Sequence, residues 1–150
     1  IMAIAHDGLL ELQSEILLEI NKYDEYSEEQ IHDAVCAYME FALKNPERFV
    51  LMFKIMITDS RITFKKCPQL RKLAHQSFQA LIDYIHEGQK RKIFDPGDPS
   101  FISLSLWSMI HGLSMMAVTD YLQNIGIKAT WKKDVVNHLT NLLCNARQRR

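Results

Sequence analysis

The sequence predicts an all-α domain of about six helices, on three observations. Apolar residues recur at spacings of three and four over most of the chain, the repeat of a helix with one buried face. Only five glycines and four prolines interrupt that repeat, and they fall at plausible element ends. No strand-like hairpin signal and no internal repeat occurs. At 150 residues the chain is long enough for one domain with a real core. Its 47% apolar and 24% charged content is that of a globular chain.

The elements follow in order. The first helix is expected over 2–21, with Leu9, Leu12, Ile16 and Ile20 as its buried stripe and Gly8 as a local weakness. Ile1-Met2-Ala3-Ile4-Ala5 reads as helix interior, so the expected start of this helix lies upstream. The stretch 23–26 is a turn. A second helix over 27–45 opens at Ser27 with Gln30 three residues on, a capping box. Ile31, Val35, Tyr38, Met39 and Ala42 share its face. Pro46 suits the first turn of a third helix, lined by Phe49, Met52, Phe53 and Met56. The stretch 58–66 is the loosest.

Pro68 opens a fourth helix reaching about residue 92, with Leu70, Leu73, Ala74, Phe78, Leu81, Ile82 and Ile85 as its stripe. Asp95-Pro96-Gly97-Asp98-Pro99 stops it. A fifth helix over 99–123 is apolar on nearly every side. The sixth starts at Thr130 as N-cap, carries Trp131, Val135, Leu139, Leu142 and Ala146, and frays over 147–150.

Charge and cysteine content narrow the function. Eighteen basic residues balance eighteen acidic ones. A surface that binds DNA carries a basic excess, so nucleic-acid contact is expected outside these residues. Three widely spaced cysteines argue against a disulfide framework and for a reducing, cytoplasmic setting. The richest apolar run, 104–122, is broken by Ser105, Ser108, His111, Gly112, Ser114, Thr119 and Asp120, so no membrane span is expected.

A helix apolar all round must be covered all round. On the fifth helix Leu104, Trp107, His111 and Val118 project one way, and Leu106, Met109, Leu113 and Met116 nearly the opposite way. Ser105, Ser108 and Gly112 form a strip of small residues between them, where another helix could approach. One reading makes this helix the centre of its own bundle. The other gives it a symmetry mate, with Leu106, Met109, Leu113, Met116, Val136, Leu139 and Leu143 at the interface of a homodimer.

Two segments resemble a known family. Trp107-Ser108-Met109-Ile110-His111-Gly112 is similar to the Trp-x-x-x-His-Gly pattern of some tetracycline-repressor-type (TetR-family) regulators. Asn45-Pro46-Glu47-Arg48-Phe49-Val50-Leu51-Met52-Phe53 resembles the Asn-Pro-x-x-aromatic stretch that opens a helix in the same C-terminal domains. The resemblance implies a domain that dimerises and binds an effector, with operator DNA contacted only through an N-terminal helix-turn-helix head that is not among these residues. It further implies that the ligand releases the DNA.

Phe49, Met52, Phe53, Met56, Phe78, Ile82, Trp107 and His111 are the candidate lining of a pocket for a small apolar effector. Methionines that repack suit a tolerant sensor. The same residues read equally as ordinary core. His111 is either the polar anchor of a ligand or a buried histidine bonded to a backbone carbonyl or a neighbouring Tyr.

Enzymatic chemistry lacks its parts. No Gly-rich phosphate loop, Gly-x-Ser-x-Gly or His-Glu-x-x-His occurs, and no two histidines stand at metal-ligand spacing, so neither catalysis, nor a metal, nor a cofactor is expected. Cys67, beside Lys65 and Lys66, is a minor candidate for a reactive thiol. The alternative function is a helical scaffold or adaptor that binds another protein through the fifth helix and takes no small ligand.

Overall fold

The computed structural model describes residues 1–128 and 130–144. Among them run α1 (Met2–Ile20), α2 (Glu28–Lys44), α3 (Pro46–Phe53), a π-helical turn (Lys54–Thr58), α4 (Ser60–Lys66), α5 (Pro68–Lys90), α6 (Pro99–Val118), the single turn α7 (Tyr121–Asn124) and α8 (Trp131–Cys144). The fold is all-α, as the apolar periodicity predicts, and no strand occurs among the described residues. Ala146 and the basic stretch 147–150, placed at the end of the sixth expected helix, lie outside the described residues.

Two expected helices are divided. The third passes through the π turn into α4, so the stretch read as loosest is helical. The fifth ends at Val118, where Thr119 and Asp120 break it. Asp120 takes a left-handed φ of 58°, a conformation Asp tolerates better than most residues.

The caps also differ in detail. Ser27 does accept from the Gln30 amide at 3.1 Å. The Gln30 side chain does not close the box. It donates instead to the Ile20 carbonyl at 3.0 Å and accepts from the Tyr84 hydroxyl at 2.7 Å. It thus ties α1, α2 and α5 together. At the far end of α5 the stop precedes the prolines. The Ile93 amide donates to the Gly88 carbonyl at 2.9 Å and the Lys92 amide to Gln89 at 2.9 Å, with Lys92 left-handed at φ 62°. That pairing is a Schellman ending. Asp98, missed as a cap, accepts from the Ser100 amide at 2.8 Å and opens α6.

Helices α1 and α2 form a hairpin, and α2 is the centre of the bundle, packed by α1, α6 and α8. Its Met39, Phe41 and Ala42 are fully buried. Gly8 of α1, read as a weak point, admits the Met52 sulfur, which a Cβ there would approach to 2.8 Å. Helix α5 lies against α6 and beside α1. By length and mean hydropathy (1.5) α6 is apolar enough to cross a membrane, despite its polar interruptions. In this fold it is a bundle helix that packs on α2, α3 and α5 and buries Ser103, Leu106, Ile110 and Ser114.

The end of α5 generates a test. A Cβ at Gly88 would meet the Phe94 ring at 2.3 Å, and that ring is only 3% exposed. The ring has nowhere to go, so overpacking outweighs the helix propensity gained by Ala. Gly88→Ala is expected to lower unfolding free energy by about 1–3 kcal/mol in urea denaturation. An unchanged or higher midpoint would contradict this packing.

Candidate functional site

Trp107 and His111 stand four residues apart on α6, hence on one face a turn apart. Their rings stack at 5.4 Å and 22°. Phe49 and Phe53, four apart on α3, close on His111 from another side, with centroids at 5.4 Å and 4.3 Å. From α2, the Tyr38 hydroxyl reaches His111 Nδ1 at 2.9 Å. The two sequence motifs therefore meet in space around one imidazole. Burial pushes His111 down to about 4, so the ring is neutral near pH 7. Burial raises Tyr38 well above its ordinary value, against a smaller downward pull from Trp107. Both partners are uncharged, and the tautomer of the ring sets which of them donates.

On the other side of Trp107 lies a cavity of about 1080 Å³. Leu12 and Ile16 of α1, Val35 and Tyr38 of α2, Phe78 and Leu81 of α5, and Trp107 and Ile110 of α6 form its walls. Phe53, Met56, Ile57 and Phe64 form one end. The cavity explains an anomaly of α5. Its long apolar stripe is fully buried only at Leu70 and Ile85. Leu73, Ala74, Phe78 and Leu81 remain half-buried, and all four line the hollow.

Of the eight residues expected at a pocket, Phe53, Met56, Phe78 and Trp107 line this cavity. Phe49 and Met52 are fully buried in the core outside the lining. Ile82 is half-buried on α5 and outside the lining. His111 is also outside it, bonded to the neighbouring Tyr. The walls contributed by α1 were read only as core stripe, and the Gln13–Ser77 hydrogen bond across the cleft had no local signal, its partners being far apart in sequence.

The residues expected at a dimer interface divide differently. Leu106, Val136, Leu139 and Leu143 are buried within one chain, and Leu106, Leu139 and Leu143 also line the shallow groove beside the outer face of α6. Helix α8 needs that stripe to cover α2. Met109 is exposed, and Leu113 and Met116 are partly so. The outer face of α6 instead carries Phe101 (70% exposed) and Leu104 (47%) beside Ser105, Ser108 and Met109. A Cβ on Gly112 would meet nothing within 4 Å. Leu142 of α8 borders the same surface across a shallow groove.

The His111 environment makes stability depend on pH. The unfolded chain takes up this proton near 6.5 and the folded one only near 4, so between those values the unfolded state holds more protons. The contribution is complete above about pH 6.5 and declines as pH falls toward 4. His111→Gln keeps an acceptor for Tyr38 but does not titrate. The stability difference between wild type and variant, followed by thermal unfolding, should shift against the wild type across that window. A difference constant with pH would count against a neutral buried ring.

No curated protein matches the chain. Among solved structures, a protein of unknown function from Rhodococcus sp. RHA1 aligns with a TM-score of 0.78 at 21% identity, over 96% of this chain and 71% of that one. At that identity the likeness is one of fold. The family described as tetracyclin repressor-like, C-terminal domain, matches residues 31–136. That span runs from the first turn of α2 into α8 and holds both motifs that meet at His111, and the chain belongs to this family of tetracyclin-repressor-like C-terminal domains.

Proposed function

We propose that this domain is the sensing and pairing part of a cytoplasmic transcriptional repressor. A small apolar effector occupies the cavity beside Trp107. A second copy of the chain covers the outer face of α6. Operator DNA is held by a helix-turn-helix head outside these residues and is released when the effector binds.

The observation that carries the reading is the cavity itself. A volume of about 1080 Å³ stands at the top of the range for small-molecule sites, and its walls are mostly apolar with a few polar groups. The hollow is a cleft, open to solvent along part of its length where Leu17, Gln76, Ala80 and Lys90 are exposed. The pairing half is supported by the outer face of α6, where large apolar side chains flank Ser105, Ser108 and Gly112 and form an unusually greasy surface for a lone chain.

Two measurements test it. A naphthylamine dye that brightens in apolar surroundings should bind the domain, and Leu81→Trp, which narrows the hollow at its middle, should weaken the signal without unfolding the chain. The domain should also sediment as a dimer at micromolar concentration. Gly112→Leu has free space within one chain and replaces a mid-helix glycine, so it should raise the stability of the isolated chain by roughly 0.5–1 kcal/mol. The same change should drive the dimer to monomer by blocking close approach of the partner helix. A wild-type monomer at tens of micromolar, or a variant that pairs as well as wild type, sinks the pairing half of the proposal.

A further inference from the structure

The cavity is long, and its two ends differ in chemistry. Helices α1 and α5 run side by side in the same direction. Gln13 bonds Ser77. Seven residues further along both helices, the Ile20 carbonyl accepts from Gln30, which in turn accepts from Tyr84. The hollow follows this pair lengthwise. Its lining extends from Leu9 to Ile20 on α1 and from Leu73 to Lys90 on α5. At the helical rise those spans are roughly 16 Å and 25 Å.

At the Leu73 end the walls are Phe53, Met56, Phe64 and Ala74, and the first polar side chains met along α5 are the uncharged Gln76 and Ser77. The π turn sets Met56 there. Such turns recur at functional sites. Every charged lining residue belongs instead to the last two turns of α5: Asp83, Glu87 and Lys90, with His86 beside them. Asp83 is already engaged by Gln79 at 2.9 Å. Glu87 is shared by two cations, accepting from Arg91 at 3.0 Å with Lys90 at 3.5 Å. Tyr26 stacks on Tyr84 at 4.9 Å under the Arg91 guanidinium at 5.0 Å. Its hydroxyl has no hydrogen-bond partner among the described residues. This end therefore offers the Tyr26 hydroxyl and the Lys90 N–H groups not aimed at Glu87, and no cation lines the opposite end.

We infer that the ligand is a single-chain amphiphile. Its straight alkyl tail lies along α5 toward Phe53 and Met56, and a head of acceptor oxygens sits at Tyr26 and Lys90. This rests on the reading of the cavity as a small-molecule site and names the class of molecule. A compact polycyclic ligand would occupy the middle, beside Trp107 and Phe78, and would leave both the apolar end and the spare donors unused.

The test uses Trp107 as reporter, in the whole chain carrying Trp131→Phe. Straight-chain carboxylates from octanoate to octadecanoate, held below their micelle concentrations, are titrated against the alcohols and methyl esters of the same lengths. Affinity should tighten about threefold to fourfold per added CH₂, then level off when the tail reaches the Phe53 end. Ala74→Phe should bring that break to a shorter chain. Tyr26→Phe combined with Lys90→Gln should weaken carboxylates roughly tenfold or more and leave alcohols nearly unchanged. Carboxylates tighter than esters identify a free acid as the source, and the reverse identifies an ester-linked chain with the same tail. Binding of the naphthylamine dye with no dependence on chain length overturns the amphiphile and leaves the pocket standing. Absence of both overturns the pocket as well.

Discussion

The structure turns on one neutral hydrogen bond, between Tyr38 and His111, set among Phe49, Phe53 and Trp107. Each partner comes from a different helix. Tyr38 is on α2, the aromatic pair on α3, and the imidazole with its stacked indole on α6. A buried polar atom without a partner is penalised by its full desolvation, so this bond admits few arrangements of the three helices. The aromatic rings around it set distance and tilt, which apolar contacts between aliphatic side chains would leave looser. With the three helices placed, Trp107 faces the hollow and the opposite side of α6 faces outward.

The hollow follows from what α5 is denied. A stripe of Leu73, Ala74, Phe78 and Leu81 would ordinarily close onto α1 and α2 to exclude water. Here the approach of α5 is held at separate points. Gln13–Ser77 spans the middle, and the Ile20–Gln30–Tyr84 relay with the Tyr26 stack spans one end. At the other end Pro68 and Leu70 seat the helix. These hydrogen bonds fix where α5 meets its neighbours, and between those points its apolar face is left half-covered. Apolar area left half-covered is stability forgone, of the order of 25 cal/mol per Å², and a ligand filling the space recovers it.

How much of this was legible in the sequence depended on the range of the interaction. Helical periodicity is local, so the all-α class and the ends near Ser27, Pro46, Pro68 and Pro99 could be read directly. The break at Asp120 and the π turn at Lys54–Thr58 were not legible, because each is a small backbone deviation settled by packing. Gln30 shows the same limit at a single residue. Its spacing from Ser27 is that of a capping box, yet its side chain goes to partners on α1 and α5. Of the residues expected at a pocket, Phe53, Met56, Phe78 and Trp107 line the cavity, each standing on an apolar stripe that faces it. Phe49 and Met52 stand on the same stripe one turn away and are core, and periodicity alone cannot separate a wall from the packing behind it. The outer face shows the same limit: Val136, Leu139 and Leu143 form a stripe buried against the bundle, while Leu142 beside them stays exposed at the groove.

Helix α6 then holds the two proposed activities back to back. Trp107 lines the hollow, and its sequence neighbour Ser108 is exposed on the outer face with Leu104 and Gly112 nearby. A rigid helix of 20 residues cannot tilt at one face without tilting at the other. A ligand shifts such an equilibrium only by the difference in its affinity for the two positions of the helix. The stack of Trp107 on His111 supplies a place for that difference to arise. A molecule that displaces the indole must do so against His111, which is itself fixed through Tyr38 to α2. Such a displacement would be resisted at the contact between α2 and α6 that the Tyr38–His111 bond makes.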